Sequence, residues 1–450
     1  VRGHWIDDWR PEDESFWRST GKKIANRNLW FSVFSEHIGF SIWTLFSVLV
    51  LFMGPAYNID AAGKFLLVSV ATLVGAALRL PYSLAVAVVG GRNWTIVSAG
   101  LLLVPTVLLA VFMEPGTSFT TFVVLSALVG VGGGNFASSM TNINAFFPDR
   151  YKGAALGINA GGGNLGVAVI QLVGLLIIAT AGPGSPRILL AVYIPLIVLS
   201  LLGAALFMDN ISSVRNDAGA LKEAARDAQT WVMSFLYIGT FGSFIGYSFA
   251  FGLVLQNQFG RTPLQAAAVT FIGPLLGSLI RPVGGWLSDR VGGVKVTFWN
   301  FAGMAVATLV CIGASAIDSL ALFTAGFVLL FITSGIGNGS TYKMIPSIFR
   351  TKALAAQAER GWGRDEALLW ARRISGAAIG ITAAVGAFGG LLINLAFRSS
   401  FQATGSGAPA FWAFLAFYAA CMAVTAGVYM RRTKAPTDPA TGTRLSYAEV

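Results

Sequence analysis

Twelve stretches of the chain are almost wholly apolar, and charged residues gather in the segments between them. They lie at about 29–53, 64–88, 94–113, 118–147, 152–181, 187–208, 231–255, 263–287, 294–316, 319–348, 372–396 and 409–430. Each is long enough, as a helix, to cross a hydrocarbon core of roughly 30 Å. The apolar residues run on without the period-two alternation of a barrel strand, so helices are the predicted spanning element. The pattern predicts an all-α membrane protein of twelve transmembrane helices.

An even number of spans puts both termini on one side, and charge selects the side. The chain has 31 Lys and Arg among its 450 residues. With cytoplasmic termini, 24 of them fall in cytoplasmic segments. Four (Lys64, Arg187, Arg261 and Arg398) lie in the opposite loops, and three (Arg79, Arg281 and Lys343) lie within spans. This asymmetry follows the positive-inside rule. The net charge of +11 is thereby explained by topology, without nucleic-acid binding. Only 11% of residues are charged and mean hydropathy is +0.69, too little polar surface for a water-soluble domain.

The longest cytoplasmic loops are 209–230 and 349–371. The first divides the chain into an N-terminal half, 29–208, and a C-terminal half, 231–430. The halves repeat weakly: "HIGFSIW" (37–43) echoes "FIGYSFA" (244–250), and "GAALR" ending at Arg79 echoes "GSLIR" ending at Arg281. At that same offset of 202, Gly133, Ser138 and Phe147 meet Gly335, Ser340 and Phe349. Paired halves are a mark of secondary transporters, whose substrate site lies between them near the midplane. Residues 1–28 read as a cytoplasmic segment with an interfacial helix leading into the first span. Its predicted start is Pro11, with Glu12 and Asp13 in the first turn. The tail 431–450 is basic, then Pro/Thr-rich, and is expected to be poorly ordered. The chain opens on charged residues rather than a short apolar stretch with a cleavage site, so no signal peptide is expected; Val1 leaves room for a few preceding residues.

Arg79 and Arg281 are the chemically telling residues. An arginine at a helix centre costs about 2.5–3.5 kcal/mol on insertion scales. The bland explanation is a buried carboxylate beside each, but the spans contain one clearly interior acid, Glu36. One acid cannot neutralise two arginines and Lys343. The two arginines are therefore expected to face a common cavity and bind an anion. Facing guanidinium groups repel in a low-dielectric cavity, and an anion between them relieves the repulsion. Their forked donors suit a small planar oxyanion better than a halide.

Glycine-rich stretches mark four spans: "GVGGGNFASS" (130–139), "NAGGGNLG" (159–166), "SGIGNGST" (334–341) and "GAFGG" (386–390). Small residues let membrane helices approach closely. None of these stretches ends in Gly-Lys-Ser/Thr, which argues against a phosphate-binding loop. Asn135, Asn164 and Asn338 within them offer amides either to a polar cavity or to interhelical bonding. "YIGTFGSF" puts Tyr237 and Phe241 on one helical face, and Phe136 follows Asn135. Rings near a polar site can sandwich a flat anion.

"DWRPEDESFW", "RLPYS" followed by "GGRNW", "NFASSMTNINAFFP", "GINAGGGNLG", "FGSFIGYS" and "GGWLSDRVGG" together resemble the nitrate/nitrite porter (NarK-type) family of the major facilitator superfamily. The resemblance runs from residue 8 to about 430, in family order. It implies two pseudo-symmetric six-helix halves, with Arg79 and Arg281 clamping nitrate or nitrite. It further implies that Phe136 and Phe241 bracket the anion and that Tyr237 and Asn164 hydrogen-bond to it. Gly161, Gly162, Gly163, Gly166, Gly386, Gly389 and Gly390 would be the family's signature, along which two helices slide. Ala160 departs from members that carry Gly there, and "GGWLSDRVGG" has only "VVGGRNW" as its first-half counterpart.

Some members of that family exchange nitrate for nitrite, and others import nitrate with protons. Glu36, His37 and Lys343 are ionisable residues in or near the membrane interior that a pure exchanger does not need. They are the candidate coupling residues, and proton-coupled import is the favoured expectation. Capping and stabilisation remain the alternative role for Glu36 and His37, and a third cation in the anion path the alternative for Lys343. An anion channel or a sensor is the competing class, and an enzyme lacks a nucleophile–base set. No cofactor is expected. The only histidines are His4 and His37, the only cysteines Cys311 and Cys421, and none has metal-ligand spacing. The expected location is the cytoplasmic membrane.

Overall fold

The computed structural model describes residues 4–214 and 217–430, so the tail 431–450 lies outside the described residues. Twelve helices among the described residues are long and apolar enough to cross a membrane. In the first half they are α1 (Glu14–Phe52), α2 (Ala61–Val89), α3 (Gly91–Phe112), α4 (Phe119–Phe146), α5 (Arg150–Ala181) and α6 (Pro186–Phe207). In the second they are α7 (Ala228–Phe259), α8 (Pro263–Val291), α9 (Gly293–Ala316), α10 (Leu320–Gln357), α11 (Arg364–Thr404) and α12 (Ala408–Met430).

Their ends follow ordinary capping chemistry. Asp60 accepts the Gly63 amide at 2.7 Å to start α2, and Ser118 accepts that of Thr121 to start α4. Thr262 and Gln265 close a capping box on α8, with Pro263 in the first turn. The α2–α3 and α8–α9 junctions turn through Gly90 and Gly292, with φ of 96° and 93°. These positions are 202 residues apart, so the two halves share a left-handed junction even though only the second carries the full loop motif.

Three helices are irregular where the candidate residues sit. Helix α1 breaks at Thr44, whose hydroxyl donates to Phe40 O at 2.8 Å. Helix α4 tightens to 3-10 geometry over Gly130–Gly134, and α7 widens to a π turn over Ile238–Gly242. Such departures are frequent at functional sites.

Two compact units emerge from the packing. Among the described residues, one gathers the chain up to Val214 with Gly246–Ser278 and Asn394–Gly407; the other holds Asp217–Ile245, Leu279–Ile393 and the chain from Ala408 to Met430. In the first, α5 lies on α1, where Ser41 Oγ donates to Gly166 O at 2.9 Å. Phe65 stacks on Phe397 and Phe401, with centroids 5.7 and 5.3 Å away. Gln171 Nε2 donates to Ser248 O at 2.8 Å. In the second unit, α9 packs on α10 and α12, and Gly242 of α7 faces Gly389 of α11.

The N-terminal segment packs on the protein. Strand β1 (Trp5–Ile6) pairs in parallel with β2 (Asn210–Ile211). Trp9 Nε1 donates to Ala145 O at 3.2 Å, and Trp17 is buried against Phe147. Asp13, rather than Pro11, begins the helix, because its carboxylate accepts the amides of Ser15 and Phe16. From Glu14 the helix continues into the first span.

Candidate functional site

Each unit buries one of the two arginines among aromatic rings. In the first unit Arg79 is fully buried, its Cζ 4.6 Å from the Phe136 ring centroid and 5.3 Å from that of Trp43. Rings present a negative face to a cation, and this arrangement gains most where water is excluded. Phe40 supports Phe136 edge-on, with centroids 5.9 Å apart. Gly75, one helical turn before Arg79, leaves room for the Trp43 indole, whose Nε1 donates to Ala71 O at 2.9 Å.

In the second unit Arg281 is 8% exposed. Its Nη2 lies 3.4 Å from Tyr237 Oη, and its Cζ 5.5 Å from the Tyr342 ring centroid. Nη1 is buried with no hydrogen-bond partner among the described residues. Tyr237 and Phe241 stack nearly parallel, with centroids 5.3 Å apart and planes 6° apart. Gly386 makes space for the Tyr237 ring, since a Cβ there would collide with it. The structure thus groups Arg281 with Tyr237 and Phe241, and Arg79 with Phe136.

Asn164 and Asn135 in the first unit, and Asn338 in the second, are buried, and neither amide atom of any of them has a hydrogen-bond partner among the described residues. An unsatisfied buried polar group costs about 1–3 kcal/mol, so such amides are suited to ligand oxygens and hydroxyl donors.

Of the candidate coupling residues, Glu36 and His37 belong to the first unit and Lys343 to the second. Glu36 is fully buried, and its Oε2 accepts from Ser139 Oγ and from Asn159 Nδ2, the latter at 2.5 Å. His37 is half-buried and donates from Nδ1 to Gly162 O at 3.0 Å, which ties α1 to α5. Lys343, in the other unit, pairs with Asp289 of the "GGWLSDRVGG" motif at 2.8 Å, with both side chains about half exposed. The first-half counterparts at the offset of 202 are Thr141 and Ala87, so that half lacks both members of the pair.

Five of the seven signature glycines, Gly162, Gly163, Gly166, Gly386 and Gly389, lie in close packing within their units. A Cβ at Gly162 would strike Val33, at Gly163 the Glu36 carboxylate, and at Gly166 the His37 carbonyl. A Cβ at Gly389 would stand 2.7 Å from Gly242 Cα. Gly161 faces open space, and Gly390 lies within α11.

Reading the chain alone missed Trp43, Phe40, Tyr342, Ser139 and Asn159. Tyr342 adjoins Lys343 in "TYKMIP", while Trp43 and Phe40 belong to the repeated "HIGFSIW". Ser139 is three residues beyond Phe136, on the same helical face, and that spacing was a usable signal.

Comparison with known proteins agrees with this architecture. The family model described as Major Facilitator Superfamily matches residues 29–361. The nitrate/nitrite transporter NarU of Salmonella typhimurium is 39% identical over 447 residues, covering 95% of this chain and 96% of the relative. NarU of Escherichia coli is 38% identical over the same shares. A probable nitrate/nitrite antiporter, NarK2 of Thermus thermophilus, is 32% identical over 93% of this chain and 95% of its own.

Proposed function

Since the chain belongs to the Major Facilitator Superfamily and, within it, to the nitrate/nitrite porter (NarK-type) family, we propose that it carries nitrate, nitrite or both across the cell membrane by alternating access. One observation carries this reading: an arginine at matching places in the sequence repeat is buried, in each unit, against aromatic rings. Arg79 and Arg281 bind the anion, an assignment that rests on the offset of 202, on the family and on what each unit presents by itself. Phe136, Phe241 and Tyr237 shape the site, and Asn164 contributes an amide. The excess of Lys and Arg in alternate loops supports cytoplasmic termini.

Import of nitrate with protons is the favoured mode, supported by the buried carboxyl of Glu36, which anion exchange alone does not require. Exchange of nitrate for nitrite is the second reading, favoured by the name of the Thermus relative. Counterflow of labelled nitrate in proteoliposomes tests the substrate. Wild type is expected to exchange label, whereas Arg79→Ala and Arg281→Ala lose it. Label exchange that persists in both variants overturns the assignment.

A further inference from the structure

Glu36 sits beside side chains able to serve its Oε2 in both protonation states of the carboxyl group. As a carboxylate it accepts two hydrogen bonds at Oε2, from Ser139 Oγ and Asn159 Nδ2. Asn159 Nδ2 is also 2.9 Å from Ser139 Oγ, so the three side chains form a closed set. Asn159 is fully buried, and its Oδ1 has no hydrogen-bond partner among the described residues. An amide carries a donor and an acceptor at opposite corners. Turned by half a revolution, Asn159 offers Oδ1 to the O–H of a protonated Glu36 in place of the N–H that serves the carboxylate. A carboxylate held only for structure needs donors alone, and the idle acceptor has no use there.

The set shares a helix with the ring on which the arginine lies, and Ser139 Oγ is 3.0 Å from Phe136 O. Ser139 lies three residues after Phe136 on α4, and the Phe136 ring carries the Arg79 guanidinium at 4.6 Å. Residues three apart share a helical face. A change in how Ser139 is held at Glu36 therefore acts on the ring under Arg79.

We propose that Glu36, Ser139 and Asn159 form the proton-binding site of this transporter, with Asn159 switching its amide between the charged and neutral acid. One proton from the outer aqueous phase adds to the carboxylate, crosses with one anion and is released on the cytoplasmic side. The packed elements carry other charged or titratable groups, of which the Tyr82 hydroxyl is buried with no hydrogen-bond partner among the described residues. His37 is bonded to Gly162 O, Tyr193 of α6 to Ser41, and Arg79 of α2 lies on Phe136 and Trp43. Tyr82 of α2 is buried edge-on to Trp94.

This inference rests on the proton-coupled reading above, and the experiment separates the two. Purified full-length protein in liposomes receives an inward proton gradient of one pH unit, and nitrate accumulation is measured beside counterflow without a gradient. One proton per anion drives up to about tenfold accumulation across one pH unit. Wild type is expected to accumulate, while Glu36→Gln exchanges label but accumulates nothing. Asn159→Leu keeps the carboxyl but removes both donor and acceptor; it is expected to lose accumulation and to flatten the pH profile of uptake. It is an independent test should Glu36→Gln fail to fold. Accumulation by either variant at the wild-type level overturns the proton site and leaves coupled transport standing. A wild type indifferent to the gradient overturns coupling itself and the site with it.

Discussion

Replacing Arg281 by lysine separates charge from geometry. The guanidinium has one long hydrogen bond, 3.4 Å to Tyr237 Oη, and a ring contact with Tyr342 at 5.5 Å. Its Nη1 is buried and uncommitted among the described residues. Two donors can thus meet two oxygens of a planar anion in parallel, whereas an ammonium aims its donors at separate points. Lysine keeps the positive charge and forfeits one charge-assisted hydrogen bond, worth about 1.5–3 kcal/mol. That loss weakens binding by about tenfold to a hundredfold or more. Initial rates of labelled nitrate counterflow over a concentration series give KM, which should rise by that factor. A halide cannot use a fork, so chloride inhibition should change much less in the same variant. A KM within about twofold of wild type, less than 0.5 kcal/mol, refutes recognition through paired donors.

Other tests address individual contacts. Phe136→Leu removes the ring under Arg79, a contact worth up to about 2 kcal/mol when dry, and should raise the nitrate KM by about tenfold. Gly166→Ala drives a methyl into the His37 carbonyl and should cost about 1–3 kcal/mol of stability in detergent melts. Gly161→Ala, facing open space, should melt like wild type or slightly above it; equal losses in both variants would refute the packing role of Gly166. Gly292→Ala must take φ near 93° and should lose about 1–2 kcal/mol by the same assay. Between α6 and α7, the Arg373 guanidinium and the Ala220 amide hold the Asp217 carboxyl down at about 2. Its folded value is depressed, so the stabilisation is full above the ordinary value of 3.8 and fades as pH falls toward 2. Asp217→Asn should therefore lower stability at pH 7 by less than about 1 kcal/mol, the pair being half exposed, and the difference should shrink only below pH 4.

The twelve spans were legible because lipid imposes a composition on any helix that crosses it, and helix ends were less so because water imposes none. Helices α10 and α11 run beyond the apolar limits at 348 and 372, since their polar extensions are held by other means. Trp362 and Trp370 pack together there, with Ala353, Ala367 and Ala371. Lys352 pairs with Asp227, and Trp370 Nε1 donates to Glu223 at 2.8 Å. Likewise, α1 begins at Glu14 rather than near 29 because Trp17 packs on Phe147 instead of reaching for a lipid interface. Loop 209–230 marked a division between halves, yet the compact units draw Gly246–Ser278 and Asn394–Gly407 in with the first half. Aromatic stacking of Phe397 and Phe401 on Phe65 accounts for part of that grouping, and no local pattern announces a contact over more than 300 residues.

The same division between local and distant information explains what was visible of the site. Arg79 and Arg281 stood out because a guanidinium among leucines is costly wherever the chain folds, and cost is a property of the residue and its neighbours in sequence. Phe136, Tyr237 and Phe241 were named from their place in the motifs, whereas Trp43, Phe40 and Tyr342 did not stand out, because a ring is unremarked in an apolar run until a cation lies over it. Glu36 was conspicuous for the reason the arginines were, whereas its partner Asn159 lies 123 residues away and reaches it only because α5 packs on α1. That packing depends in turn on Gly163 and Gly166, where any side chain would strike the Glu36 carboxylate or the His37 carbonyl. The glycine string is therefore inseparable from the buried acid: the close approach that removes side chains from one face of α5 brings Asn159 to bear on Glu36. An enlarged residue at Gly163 should accordingly disturb the pH dependence of transport before it disturbs anion affinity, an order that a lubricating role for these glycines does not predict.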